Sequence, residues 1–182
     1  MALQTPEAEL GSPAPDFDLA AVDGPRHTLA GVRGPKGLLV MFICNHCPYV
    51  QALRDRLVGD MRELQNAGIG VVAISANDAE RYPEDSPAML LRQAREWNFS
   101  FPYLHDTTQQ VARAYGAVCT PDFFGYDADL RLRYRGRLDS AQRDARTPQT
   151  RRELVEAMLR VARGESPETQ EPSIGCSIKW AT

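Results

Sequence analysis

The stretch "GLLVMFICNHCPYV", Gly37 to Val50, carries the fold in its first half and the chemistry in its second. Leu38 to Ile43 is an apolar run without alternation, bounded by Gly37. That is the pattern of a strand buried on both faces rather than one wetted on one side. From Tyr49 onward, Val50, Leu53, Leu57, Met61 and Leu64 recur at helical spacing, and Gly68 supplies a stop. One helix is therefore expected over this segment. Cys44 and Cys47 stand where the strand feeds that helix, the end of a strand at which α/β folds place their sites.

Outward from this centre, strand and helix patterns alternate. "IGVVAISAND" (69–78) reads as a second buried strand and "AMLLRQAREWNF" (88–99) as a helix. "FPYLHD" (101–106) is a short strand, and "TTQQVARAYG" (107–116) a short helix with Thr107 or Thr108 as its cap. "DFFGYDADLRLRYRGRL" (122–138) reads as an antiparallel hairpin turning near Asp127–Asp129. "TPQTRRELVEAMLRVARG" (147–164) is a last helix, expected to be capped by Thr147 with Pro148 in its first turn and stopped by Gly164. Residues 1–37, rich in Pro and Gly with short alternating pieces, are expected as a β-hairpin extension, and 165–182 as an extended tail. The expectation is one α/β domain over 1–182, with a mixed central sheet and helices on both faces.

The 182 residues suit one domain, and 43% apolar with 25% charged residues is ordinary for a globular chain. A net charge of −3 argues against nucleic acid or an anionic membrane as partner, since both need a basic footprint. No apolar run approaches the ~18 residues of a membrane span, and the opening "MALQTPEAEL" has neither the basic start nor the apolar core of a secretion signal. A cytoplasmic location is expected. In that reducing setting the four cysteines do not form a permanent disulfide framework; a pair that cycles does so for chemistry.

Two cysteines three positions apart serve thiol–disulfide exchange, metal ligation or peroxide reduction, or simply pack as small buried residues. At a helix N-terminus, free N–H groups favour thiolate over thiol. On that geometry Cys44 is exposed and attacks, Cys47 is shielded and resolves, and His46 between them stabilises the Cys44 thiolate. A metal module is the alternative from another class, using Cys44 and Cys47 with Cys176 or His46; alone, the motif falls short of the four ligands of structural zinc. His27 and His105 read as structural or surface residues, Trp97, Phe99 and Phe101 as packing. The arginines from Arg131 to Arg137 alternate with apolar residues and read as one solvated strand face.

"GSPAPDFDLAAVDG" (11–24), "GLLVMFICNHCPYV" (37–50) and "VCTPDFFGYDADLRLRYRGRLD" (118–139) together resemble the thioredoxin-fold redoxins. The resemblance is to the peroxiredoxin-like branch related to alkyl hydroperoxide reductases and thiol-specific antioxidant proteins, and "GCSIKW" (175–180) resembles the tail of a cytosolic subgroup. It implies a thioredoxin-like fold with Pro121 as a cis-proline facing the cysteine pair and Thr120 offering its backbone to an incoming partner chain. Cys119 would then lie near the pair as a further redox partner or a buried spectator, and Cys176 is a candidate additional redox thiol. The function implied is a thiol–disulfide oxidoreductase without prosthetic cofactor. It would act on a disulfide-bearing protein or small molecule and be re-reduced by a dithiol protein or a low-molecular-weight thiol.

Two departures from these families stand out. Thioredoxins carry a buried carboxylate in the strand before the motif, and "GLLVMFIC" has none, which leaves His46 or water as base. Peroxiredoxins carry Pro-x-x-x-Thr-x-x-Cys; here Val40 and Cys44 replace the proline and threonine, and Pro121 stands where the activating arginine belongs. A thiol peroxidase with Cys47 as the peroxidatic residue is the alternative within the same fold.

Overall fold

In the computed structural model, which describes residues 1–182, the apolar run of Gly37–Phe42 is the middle strand of a five-stranded sheet. In chain order the elements are β1 (Ala2–Gln4), β2 (Asp18–Ala20), β3 (Arg26–Thr28), α1 (Leu29–Val32), β4 (Gly37–Phe42), α2 (Pro48–Gln51), α3 (Leu57–Asn66) and β5 (Ile69–Ser75). A single 3-10 turn at Pro83–Asp85 leads into α4 (Pro87–Glu96), β6 (Tyr103–His105), α5 (Gln110–Tyr115) and β7 (Cys119–Thr120). The chain then forms β8 (Asp122–Tyr126), β9 (Leu132–Gly136), α6 (Glu153–Ala162) and β10 (Ile174–Ser177). The sheet order is β6-β5-β4-β8-β9, with β6, β5 and β4 parallel and β8 antiparallel to both its neighbours, β4 and β9.

The unbroken apolar run is explained by what lies on either side of β4. Leu39, Met41 and Ile43 enter one core with Leu57, Met61 and Leu64 of α3 and Leu154 and Met158 of α6. Leu38, Val40 and Phe42 enter a second core on the opposite face, with Leu29 of α1 and Ala112 and Tyr115 of α5. All six residues of β4 are buried. At about 1.5–3 kcal/mol for each large apolar side chain removed from water, this strand fixes the sheet between its two helical layers.

Several local expectations are corrected. The helix after Pro48 is broken into α2 and α3, because Arg56 leaves helical geometry at φ −130° and ψ −24°. Its guanidinium is held across the chain by Asp139, Nε to Oδ2 at 2.9 Å, and by the Asp144 carbonyl at 2.7 Å. The apolar spacing survives the break, since Leu53 and Leu57 both remain buried. Neither Thr107 nor Thr108 caps α5; Gln109 is the cap residue, and Asp106 Oδ2 accepts the first-turn Ala112 N–H at 2.8 Å. Thr147 closes a turn with Thr150 instead of starting α6, and Arg151 first pairs its backbone with Ser140. Gly164 does follow α6, at φ +78°, the left-handed position that favours glycine after a helix.

The arginines from Arg131 to Arg137 are not one solvated face. Arg131 and Arg133 are exposed, but Arg135 is buried. Its guanidinium donates to Asp122 at 2.9 and 3.2 Å and lies 4.5 Å over the Phe124 ring. In the N-terminal extension β2 and β3 form the expected hairpin, while β1 pairs elsewhere. It joins a second, three-stranded sheet, β1-β10-β7, in which the C-terminal tail supplies the middle strand.

Candidate active site

Cys44 leaves β4 after Ile43, and the chain makes a short loop before α2 begins at Pro48. Cys47, not Cys44, is the residue at the helix cap. The expected division into an exposed first sulfur and a shielded second one does not hold: Cys44 is 1% exposed and Cys47 0%. The loop is held from a distance. Asp85, fully buried, accepts the Asn45 N–H at 2.7 Å and the His46 N–H at 3.3 Å through Oδ1. Its Oδ2 engages His46 Nδ1 at 2.5 Å and accepts from Asn77 Nδ2 at 2.8 Å. The His46 ring stacks on Tyr82, centroids 5.6 Å apart and 4° from parallel.

This places a buried carboxylate beside the motif after all. It comes from the 3-10 turn following β5 rather than from the strand before the cysteines. No local signal in "RYPEDSP" singles it out, because the loop it binds, Asn45 and His46, lies 40 and 39 residues away. Cys44 Sγ, a His46 nitrogen and an Asp85 oxygen lie within 4.8 Å of one another. As a metal site the trio fits poorly. Both Asp85 oxygens are already filled by N–H donors, so the carboxylate's acceptor capacity serves the loop.

From the other side the pair meets β7. The Thr120–Pro121 peptide is cis. Thr120 Oγ1 lies 3.3 Å from Cys44 Sγ, and the Thr120 carbonyl 3.2 Å from Cys47 Sγ. Thr120 therefore contacts both sulfurs, a role beyond the backbone edge expected of it. That edge is also taken: Cys176 of β10 is the antiparallel partner of Thr120, and Ser177 that of Cys119. Cys119 is fully buried, its thiol donating to the Pro121 carbonyl at 3.6 Å, and burial pushes it well above the usual thiol range.

The electrostatics favour Cys47 rather than Cys44 as the thiolate. Cys47 is lowered to about 4, first because the Cys44 thiol donates to it, with further donors from the Cys176 thiol, the Thr120 hydroxyl and the Cys176 N–H, all against the opposing effect of burial. As a thiol Cys47 can give its proton to the Thr120 carbonyl; as a thiolate it collects these donors, and the donors prevail. Cys44 is raised well above the usual range by donating to Cys47, by burial and by the Asp85 charge. Cys176 is raised to about 11, chiefly by burial and then by its hydrogen bond to Cys47. The structure thus brings together Cys44, Cys47, His46, Thr120, Pro121 and Cys176, and adds Asp85, which the sequence reading missed.

A cysteine pair at the end of the central strand, set against a cis-proline, defines a thioredoxin-like redox protein. The chain belongs to the AhpC/TSA family, which it matches over residues 10–135. It is similar to an uncharacterized conserved protein from Geobacillus kaustophilus, with 44% identity and a TM-score of 0.94 over 100% of this chain and 97% of that one. It is 28% identical over 128 residues, 68% of this chain and 67% of the other, to the thiol-disulfide oxidoreductase ResA of Geobacillus thermodenitrificans. A thioredoxin-like protein solved in its oxidized form shares the fold at 18% identity, with a TM-score of 0.67 over 87% of this chain and 100% of that one.

Proposed function

We propose that this protein is a thiol–disulfide oxidoreductase in which Cys47 attacks and Cys44 resolves. The observation that carries the reading is the placing of the pair: Cys47 caps α2 with its sulfur at the Thr120–Cys176 strand edge, while Cys44 Sγ lies beside the Thr120 hydroxyl, and the electrostatics lower Cys47 and raise Cys44 in keeping with it. The Cys47 thiolate attacks one sulfur of a substrate disulfide, forming a mixed disulfide and releasing the other sulfur as a thiolate. Cys44 then gives up its proton to that leaving group and attacks Cys47. The Cys44–Cys47 bond forms, the mixed disulfide breaks and the second substrate sulfur departs as a thiolate, which takes its proton from solvent. Two electrons pass from the protein to the substrate, and a dithiol protein or low-molecular-weight thiol returns them. Substrates are disulfides of proteins or small molecules, and the cycle needs no prosthetic group.

A thiol peroxidase centred on Cys47 is the second reading. The lowered Cys47, followed by Pro48, favours it, as does the Thr120 hydroxyl, which reaches the sulfurs from β7. Mixing the reduced protein with glutathione disulfide and, separately, with hydrogen peroxide tests the two. The oxidoreductase reading expects faster loss of thiolate absorbance with the disulfide. A peroxide rate constant above ~10⁴ M⁻¹s⁻¹, within the range of competent enzymes, and above the disulfide rate, hands the site to the peroxidase.

A further inference from the structure

The tail is bonded at both ends of β10. Ser173 donates its hydroxyl to the Pro121 carbonyl at 2.8 Å and its N–H to Thr5 Oγ1 at 3.0 Å. Beyond the strand, the Ile178 N–H reaches Val118 O at 3.1 Å and the Lys179 N–H reaches Asn77 Oδ1 at 2.8 Å. The Trp180 ring lies beneath Arg113 at 4.3 Å. Between these anchors the approach of the two strands requires a glycine. A Cβ on Gly175 would sit 2.0 Å from the Thr120 carbonyl oxygen and 3.1 Å from Pro121 N. Directly opposed residues of an antiparallel pair send their side chains to the same face. Cys176 opposes Thr120, whose hydroxyl is at Cys44, so the tail thiol points at the cysteine pair. Of the four thiols, Cys176 alone is not buried.

We propose that β10 is a built-in occupant of the Thr120 strand edge and that Cys176 is a third redox cysteine, relaying the disulfide from the buried pair to the surface. The proposal rests on the dithiol reading above. Once the Cys44–Cys47 disulfide has formed, the Cys176 thiolate attacks Cys47 Sγ. The Cys47–Cys176 bond forms and the Cys44–Cys47 bond breaks. Cys44 leaves as a thiolate and takes the proton that Cys176 gave up, so the disulfide moves with no net electron transfer. An external reducing dithiol then attacks the half-buried Cys176 sulfur and releases the Cys47 thiolate. The second thiol of the reductant resolves the mixed disulfide, frees Cys176 and leaves the reductant oxidised.

The full chain tests this. Wild type and the variants Cys44→Ser, Cys176→Ser and Gly175→Val are oxidised with glutathione disulfide, quenched in acid and mapped as non-reduced peptides. The oxidised proteins are then re-reduced by a dithiol protein, reduced thioredoxin. The relay expects a Cys47–Cys176 bridge in Cys44→Ser, loss of that bridge when Gly175→Val is added, and re-reduction of Cys176→Ser at least tenfold slower than wild type. Circular dichroism and a parallel Cys44→Ala variant guard against misfolding. If Cys44→Ser yields only glutathione on Cys47, or if Cys176→Ser is re-reduced at the wild-type rate, the relay is overturned while the dithiol reading stands. If wild type forms no Cys44–Cys47 or Cys47–Cys176 bond at all, the dithiol reading itself fails and takes the relay with it.

Discussion

His46 Nδ1 lies 2.5 Å from Asp85 Oδ2, and the other oxygen of the same carboxylate accepts the backbone N–H groups of Asn45 and His46. The residues between the two cysteines are thereby bound to the turn after β5. The buried carboxylate both shapes the loop and sets a negative charge beside Cys44.

Asp85→Asn is expected to lower the Cys44 pKa only in part, because donation to Cys47 and burial raise it more than the Asp85 charge does. It also leaves the neighbouring donors short of acceptors, at a cost of about 1–3 kcal/mol in stability. Carbon NMR of labelled cysteine across pH, with chemical denaturation, measures both. A Cys44 titration that moves upward contradicts the assigned role of the carboxylate.

The thiolate proposed for Cys47 has a signature in stability. Its folded pKa of about 4 lies below the ~8.5 of an unfolded thiol. A depressed pKa contributes stability that is complete above ~8.5 and is lost as pH falls toward about 4. The unfolding free energy of reduced wild type relative to Cys47→Ala is therefore expected to decline through that window. Cys44, being raised, acts in the opposite sense: its contribution is full below ~8.5 and is lost at higher pH. Urea titrations between pH 4 and pH 8.5 check the Cys47 prediction. A difference that grows as pH falls would place the thiolate elsewhere.

Loosening the tail is expected to uncover Cys47. Trp180→Ala removes the ring beneath Arg113, an interaction worth ~1 kcal/mol where partly shielded. Iodoacetamide labelling of Cys47 at neutral pH should rise about fivefold, the opening equilibrium that such a loss allows. Unchanged labelling would mean that the tail does not control access.

Asp122, directly after the cis-proline, forms a buried pair with Arg135 of β9 and also accepts the Val118 N–H at 3.2 Å. Removing one partner strands a buried charge, so Arg135→Leu is expected to cost about 3–5 kcal/mol in denaturant unfolding. The double variant Arg135→Leu with Asp122→Asn should recover part of that loss. A single-variant cost below ~1 kcal/mol would show that the charge is not held as the geometry indicates.

Short-range pattern carries what the sequence determined here. The unbroken run from Leu38 to Ile43 encodes a strand between two cores, because only an element covered on both faces can dispense with polar alternation. The hairpin across residues 122–138 follows from its turn residues, and the cysteine spacing and Thr-Pro step announce a redox site on a thioredoxin-like frame. Tertiary structure alone decided which donors surround each sulfur and what covers the pair. The Cys47 thiolate depends on donors from Cys44, Thr120 and Cys176 together, and two of those three lie far along the chain. Asp85 reaches Asn45 across forty positions, and Arg135 is drawn inward by Asp122 although its alternation with apolar neighbours reads as solvated. Local periodicity records which face of an element is wet. It does not record which distant donor arrives at a sulfur, since that is fixed by backbone approach across strand edges, down to the missing Cβ of Gly175 against Thr120.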